Sequence, residues 1–121
     1  MTLFDLLHEN ALTDHALLCL KDEQGDVFTS SRDVDFAFKT SDRERAQDLA
    51  EYINGKNFGS ASIRDGGEGI FWVLVIISMP ITQHLVNCVS AFMLCLSRLF
   101  QVDYDGWGSV TIADRDRGTE S

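Results

Sequence analysis

Apolar and polar side chains alternate from Asp33 to Lys39, with Val34, Phe36 and Phe38 on one side and charged or small residues on the other. A repeat of two residues is typical of a β-strand that buries one face. We therefore predict a strand here, with its apolar side directed into the core.

The next segment changes to helical spacing. Ser41 and Glu44 stand three residues apart, as in a capping box at the start of a helix. The apolar positions that follow recur at intervals of three and four residues until a glycine ends the run: Ala46, Leu49, Ala50, Ile53 and Gly55. This pattern predicts a helix that packs on the strand.

Two further strands are predicted in the middle of the chain. Residues 58–64 are mostly small and precede Gly66-Gly67, which suits an edge strand entering a tight turn. Residues 70–78 are almost entirely apolar and rich in Ile and Val, as expected of a central strand covered on both faces.

Pro80 is placed to open a second core helix. Its predicted apolar stripe comprises Ile81, Leu85, Cys88, Val89, Phe92, Cys95, Leu96 and Leu99. A last strand is predicted over residues 102–112.

From residue 33 to residue 112 the predicted order is βαββαβ, the ferredoxin-like arrangement in which two helices cover one face of a four-stranded antiparallel sheet. Residues 1–32 add a short helix that starts at a Thr2 and Asp5 cap and ends near Asn10, followed by a hairpin from Ala16 to Thr29 that turns at Gly25. Residues 113–121 are a short tail, so the chain is predicted to be one α+β domain. The apolar third strand needs cover on its second face, which either the N-terminal elements or a partner must supply.

No charged residue occurs from Ile70 to Ser97, a length that could span a membrane. Pro80 interrupts this run, however, and Thr82, Gln83, His84 and Asn87 would lie near the bilayer centre, where polar groups are costly. A soluble domain with no membrane partner is the favoured interpretation.

Charge narrows the class of partner. The chain has 121 residues with 19 acidic and 10 basic side chains, a net charge of −9. This balance disfavours direct nucleic-acid binding, which needs clustered Lys and Arg. It favours a protein partner with a basic surface, although solubility alone would also explain it.

The three cysteines, Cys19, Cys88 and Cys95, are odd in number and lack the C-x-x-C spacing of a zinc or redox site. We expect them to be small core residues of a protein in the reducing cytoplasm. The N-terminus also lacks the basic and long apolar regions of a secretion signal.

No catalytic, cofactor-binding or metal-binding set is recognisable. His8, His15 and His84 lie in separate predicted elements, and no nucleophile-elbow or phosphate-binding motif occurs. Asp103-x-Asp105-Gly106 has only part of a calcium loop. Asp22, Glu23 and Asp26 are interpreted as a solvated turn. The sequence therefore predicts a protein that is not an enzyme and carries no cofactor.

The most unusual segment is Asp103-Tyr104-Asp105-Gly106-Trp107. Gly106 permits a β-bulge that can redirect Trp107, and the two aromatic side chains combine a large area with a polar tip. Asp103, Tyr104, Asp105 and Trp107 are our candidate partner-binding residues. The alternative is a structural corner that holds the last strand against the second core helix.

At this motif, with Phe100 and Val102 before it, the chain resembles the RraB family, the regulators of ribonuclease activity B, which are small bacterial ferredoxin-like proteins. The Leu6-Leu7 helix and the strand and capped helix from Val34 to Ile53 are also similar to that family.

The resemblance implies non-catalytic regulation, since the family's namesake binds the endoribonuclease RNase E and changes which RNAs it processes. Two alternatives remain open at this point. One is an immunity protein that neutralises a bacterial toxin nuclease, and the other is a small hydrolase or ligand-binding enzyme.

Overall fold

A computed structural model describes residues 1–113. In this part of the chain the elements follow the order α1 (Leu3–Glu23), β1 (Arg32–Thr40), α2 (Arg43–Gly55), β2 (Ser60–Asp65), β3 (Phe71–Met79), α3 (Gln83–Phe100) and β4 (Asp103–Ser109). The strands form one antiparallel sheet in the order β2-β3-β1-β4. The predicted α+β, ferredoxin-like order is therefore confirmed, with the first and third strands in the centre. Of the predicted tail, residues 114–121 lie outside the described residues.

The inner face of the sheet forms the core with α2 and α3. Val34, Phe36 and Phe38 are fully buried on β1, as the alternating pattern predicts. Phe36 is paired with Val75 on β3, which is also fully buried. On α2, the predicted apolar face is buried as well: Ala46, Leu49, Ala50 and Ile53.

The start of α2 differs from the predicted Ser41 cap. Asp42 is the N-cap, and its Oδ1 accepts hydrogen bonds from the backbone N–H groups of Glu44 at 2.9 Å and Arg45 at 3.3 Å. β1 continues to Thr40, whose Oγ1 accepts from the Asp42 N–H at 3.1 Å. This turn leaves the Asp42 carboxylate, instead of the Ser41 hydroxyl, beside the free N–H groups of the helix.

The predicted N-terminal hairpin is wrong. α1 begins at the expected Thr2 and Asp5 capping box but continues for 21 residues, through the segment interpreted as the first strand. Leu18 is buried and Leu17 packs on the core, so this segment gains its burial as a helix against α3. Gly25 has the expected positive φ of 80°, but it follows the helix instead of joining two strands.

Asp26 is also buried, contrary to the solvated turn that its neighbours suggested. Both of its carboxylate oxygens accept from Arg32 Nη1, at 2.7 and 2.8 Å, and Lys21 Nζ lies 3.8 Å away. Arg32 donates further to the backbone carbonyls of Val27, Ser30 and Val110. These bonds satisfy the buried charges and tie the connection between α1 and β1 to the chain that follows β4.

Of the predicted stripe, Ile81 and Leu96 are buried as expected, but the buried face of α3 is otherwise rotated away from it. Its buried residues are Val86, Ser90, Met93, Leu94, Leu96 and Ser97. Leu85, Phe92 and Leu99 are exposed instead. The cysteines are likewise not core residues, because Cys19 and Cys88 are exposed and Cys95 is half-buried. α1 explains the rotation, since it packs beside α3 and buries a polar face that includes Ser90.

β4 contains the predicted bulge. Its pairing with β1 shifts register between Ala37 and Phe38, opposite Asp105, and Gly106 adopts a φ of 97°. The strand ends at Ser109, earlier than predicted, and Asp26 then forms an isolated bridge with Ala113.

Within residues 1–113, α3 is the one helix long and apolar enough to cross a membrane by length and composition. Val86 and Met93 on this helix are fully buried in the protein core. The uncharged run from Ile70 to Ser97 is divided between β3 and α3, with Pro80 between them.

Candidate binding face of the sheet

The structure separates the four candidate binding residues into two pairs. Tyr104 and Trp107 are directed to the inner face of the sheet, where they pair with Phe38 and Phe36. Trp107 is only 9% exposed. Asp103 and Asp105 are exposed, Asp103 on the outer face and Asp105 at the bulge. The motif therefore combines an inward-facing aromatic pair, of which Trp107 is buried and Tyr104 is half-buried, with a solvent-accessible carboxylate pair.

Tyr104 and Trp107, the inward-facing pair, belong to a hydrogen-bond network that includes Asp14. Trp107 Nε1 donates to Asp14 Oδ1 at 3.1 Å, and Ser90 Oγ donates to the same oxygen at 3.2 Å. Tyr104 Oη lies 2.9 Å from Ser90 Oγ, and Asn10 Nδ2 donates to Ser90 Oγ at 3.0 Å. The network joins α1, α3 and β4, so Tyr104 and Trp107 hold these elements together.

Burial governs the electrostatics of this network. It raises the pKa of Asp14 above its usual value, although the Ser90 and Trp107 hydrogen bonds oppose that rise. Burial also raises the pKa of the Tyr104 hydroxyl well above its usual range. Sequence reasoning missed Asp14, because the apolar residues of α1 are spread around the helix and give no pattern that indicates which side is buried.

The outer face of the sheet has no covering element within residues 1–113. Side chains alternate along β3, so the neighbours of buried Val73 and Val75 point outwards. These are Trp72, Leu74 and Ile76, and Ile76 is 40% exposed. We call these three residues the apolar stripe. Of the two predicted ways to cover it, the N-terminal elements do not do so, because α1 lies against α3.

Carboxylates border the apolar stripe on one side. Asp33 and Asp35 are exposed on the outer face of β1, where Asp35 is paired with Ile76. Asp103 and Asp105 add two more on β4. None of the four forms an ion pair with another residue in the described chain. The stripe and these four carboxylates together are called the open face.

At the Trp72 end of the open face a basic side chain, Lys39, lies beside the apolar stripe. Lys39 Nζ lies 5.9 Å from the centre of the Trp72 ring, and Lys39 is paired with Asp103. A hollow of about 410 Å³ lies beside them, bordered by the Gly66-Gly67 turn. A Cβ at Gly66 would come within 2.7 Å of the Trp72 ring, so glycine is what lets this turn approach the tryptophan.

The part of the chain that the structure describes has no group of three or more His, Cys, Asp or Glu side chains suited to a metal ion. Asp103 and Asp105 are separated by the bulge and are both exposed on β4. The open face combines an apolar centre with a charged border, features that also occur at protein–protein interfaces.

The sheet and helices thus define a ferredoxin-like α+β domain with one exposed sheet face. The family model described as regulator of ribonuclease activity B matches residues 14–109, which is most of the chain. The chain belongs to this RraB family. No curated protein matches it at a significant level. The matched segment begins at Asp14 and includes Trp107, so both partners of the buried hydrogen bond fall within it.

Proposed function

We propose that this protein regulates a ribonuclease by binding the enzyme through the open face, without cleaving RNA itself. Membership of a family of ribonuclease activity regulators supports a ribonuclease as the partner. The same match favours this function over the alternative of an immunity protein. The finer proposal, that the enzyme is an RNase E type endoribonuclease, rests on the resemblance to the family's namesake.

The observation that carries the proposed surface is the presence of Trp72, Leu74 and Ile76 on the outer face in the middle of the sheet, where Trp72 and Leu74 are half-buried and Ile76 is exposed. Apolar area removed from water on binding contributes roughly 25 cal/mol per Å², and central aromatic residues are common anchors of interfaces. A contiguous apolar stripe on an outer sheet face is typical of a surface that a partner covers.

Charge supplies the second part of the proposal. Four exposed carboxylates border the stripe, and the whole chain carries a net charge of −9. Such a surface accelerates association with a basic partner and repels the phosphate backbone of RNA. Regulation would then act through the enzyme, by covering or displacing its own RNA-binding surface. The cytoplasm is the proposed compartment, and the free thiols of all three cysteines suit its reducing conditions.

The test is direct binding to purified RNase E, together with its cleavage of a structured RNA substrate. The variant Asp33→Asn/Asp35→Asn removes two charges from the open face. The matched control, Asp48→Asn/Glu51→Gln, removes two exposed charges from α2 on the opposite side of the sheet.

The open-face variant is expected to bind several-fold more weakly, mainly through slower association, and to show a shallower dependence on salt. The α2 control should bind and inhibit as the parent does. Equal weakening in both variants would indicate net charge alone, and no weakening in either would place the contact away from the open face.

A further inference from the structure

A second apolar surface lies along the exposed side of α3, where a groove also includes Phe58 and Ile77. It consists of Leu85, Cys88, Phe92, Cys95 and Leu99, which we call the outer stripe. Leu85 is 39% exposed, Phe92 is 38% exposed and Leu99 is 75% exposed. The outer stripe contains no charged residue. None of its five members is among the buried residues of α3, so much of its apolar area stays open to solvent.

The spacing of the outer stripe is that of a helix-pairing seam. Successive members are separated by three, four, three and four residues, the repeat that places side chains along one line of an α-helix for contact with a second helix. The order of residue types is also the same in both directions from Phe92: Leu, Cys, Phe, Cys, Leu.

We propose that two copies of this chain pair through their outer stripes, with the α3 helices antiparallel about a twofold axis at Phe92. A twofold interface must be complementary to itself, so that residue i contacts j while j contacts i. Antiparallel pairing about Phe92 places Leu85 against Leu99 of the second copy. It likewise places Cys88 against Cys95 of the second copy, and the two Phe92 rings together at the centre.

The surroundings of the stripe favour a second copy as its occupant. The seam carries no charge, so pairing does not bring the acidic side chains of two copies into direct contact. Phe58 packs edge-on against Phe92, with ring centres 5.0 Å apart, and extends the apolar surface. A hollow of about 380 Å³ beside Val89 and Met93 can accept side chains of the second copy.

This pairing is independent of the proposed ribonuclease contact, because the open face lies on the other side of the sheet. A dimer would present two open faces. Two linked binding surfaces strengthen attachment to any target with repeated or paired sites, since the second contact becomes intramolecular.

The first test is the mass of the full chain, measured by sedimentation from micromolar to hundred-micromolar concentration. The parent is expected to reach twice the 13.5 kDa of one chain. Leu99→Glu should remain a single chain, because it places an unpaired carboxylate against Leu85 of the second copy at each end of the seam. The control Leu12→Glu adds the same charge at a leucine that is 58% exposed on α1, and it should still dimerise. Circular dichroism checks that both variants fold.

The second test uses the cysteines of the stripe. Mild oxidation by diamide, which takes up two electrons and two protons for each disulfide formed, should link Cys88 to Cys95 of the second copy. Either Cys88→Ser or Cys95→Ser should abolish the covalent dimer, whereas Cys19→Ser should not. A parent that stays a single chain at every concentration would overturn the proposal, as would cross-linking that depends on Cys19. A single-chain parent whose ribonuclease binding is weakened by Leu99→Glu would assign the outer stripe to the enzyme instead.

Discussion

Trp107 Nε1 donates a hydrogen bond of 3.1 Å to Asp14 Oδ1, and this bond joins β4 to α1 across 93 positions of the chain. The carboxylate is 2% exposed, so it cannot replace this donor with bulk water. Half of the conspicuous motif on β4 is therefore structural, and its other half is available to a partner.

Trp107→Phe tests the structural half. Phenylalanine keeps most of the buried ring but leaves the Asp14 carboxylate with one donor fewer. The free energy of unfolding should fall by about 1–3 kcal/mol, the usual cost of an unsatisfied buried polar group. Urea unfolding measures the change, and a loss of the same size in the Asp14→Ala background, which lacks the acceptor oxygen, would show that the hydrogen bond contributes nothing specific.

Asp103→Asn/Asp105→Asn tests the accessible half of the motif. Both side chains are exposed and form no ion pair within the described chain, so the free energy of unfolding should change by less than about 0.5 kcal/mol. Ribonuclease association should nevertheless become slower and less dependent on salt. Lost stability with unchanged affinity for each folded molecule would instead mean that these carboxylates only support the turn.

Asp14 also predicts a dependence of stability on pH. Burial raises its pKa in the folded state, so the native protein binds this proton more tightly than the unfolded chain does. The contribution of Asp14 is thus most favourable below its unfolded pKa and is lost as pH rises through the raised folded value. The Asn side chain of the Asp14→Asn variant does not titrate, so the variant does not lose this contribution. The free energy of unfolding of the variant, relative to that of the parent, should therefore increase with pH between the unfolded and folded pKa of Asp14 and then level off. Urea unfolding at a series of pH values checks this, and a constant difference between the two proteins would contradict it.

Core packing gives a contrast between two apolar residues of the helices. Leu49 is fully buried, so Leu49→Ala should cost about 2–5 kcal/mol. Phe92 is 38% exposed, and Phe92→Ala should cost clearly less than the full burial of a phenylalanine would imply. Thermal and urea unfolding of the two variants measure the difference. Equal losses would mean that the outer stripe is buried within the single domain.

β1 and α2 were predictable because their apolar residues alternate or recur with one clear period, and β3 because its apolar run is continuous. Val34, Phe36 and Phe38 face the core as that pattern requires. α1 carries no such pattern, since its contacts include polar ones from Asn10, Asp14 and Lys21. The hairpin was predicted from the composition around Gly25. Packing of this segment as a helix against α3 outweighs that local preference.

The predicted orientation of α3 was largely wrong for a related reason. Apolar residues occur around most of this helix, so the sequence alone does not indicate which side enters the core. Ser90 and Ser97 are buried, whereas Leu99 is largely exposed. The candidate site could be predicted only in part. The motif was visible in the sequence, but the directions in which its side chains point depend on the bulge at Asp105.

The two tryptophans allow the most direct test of the open face. Trp72 lies on that face and Trp107 is buried on the other side of the sheet, so their indole N–H signals in a nitrogen-15 NMR spectrum report on the two sides separately. On addition of unlabelled RNase E, the Trp72 signal should shift or broaden together with the amides of Asp35 and Ile76, while the Trp107 signal keeps its position. An unchanged Trp72 signal under conditions where the enzyme binds and α2 or α3 responds would contradict the account.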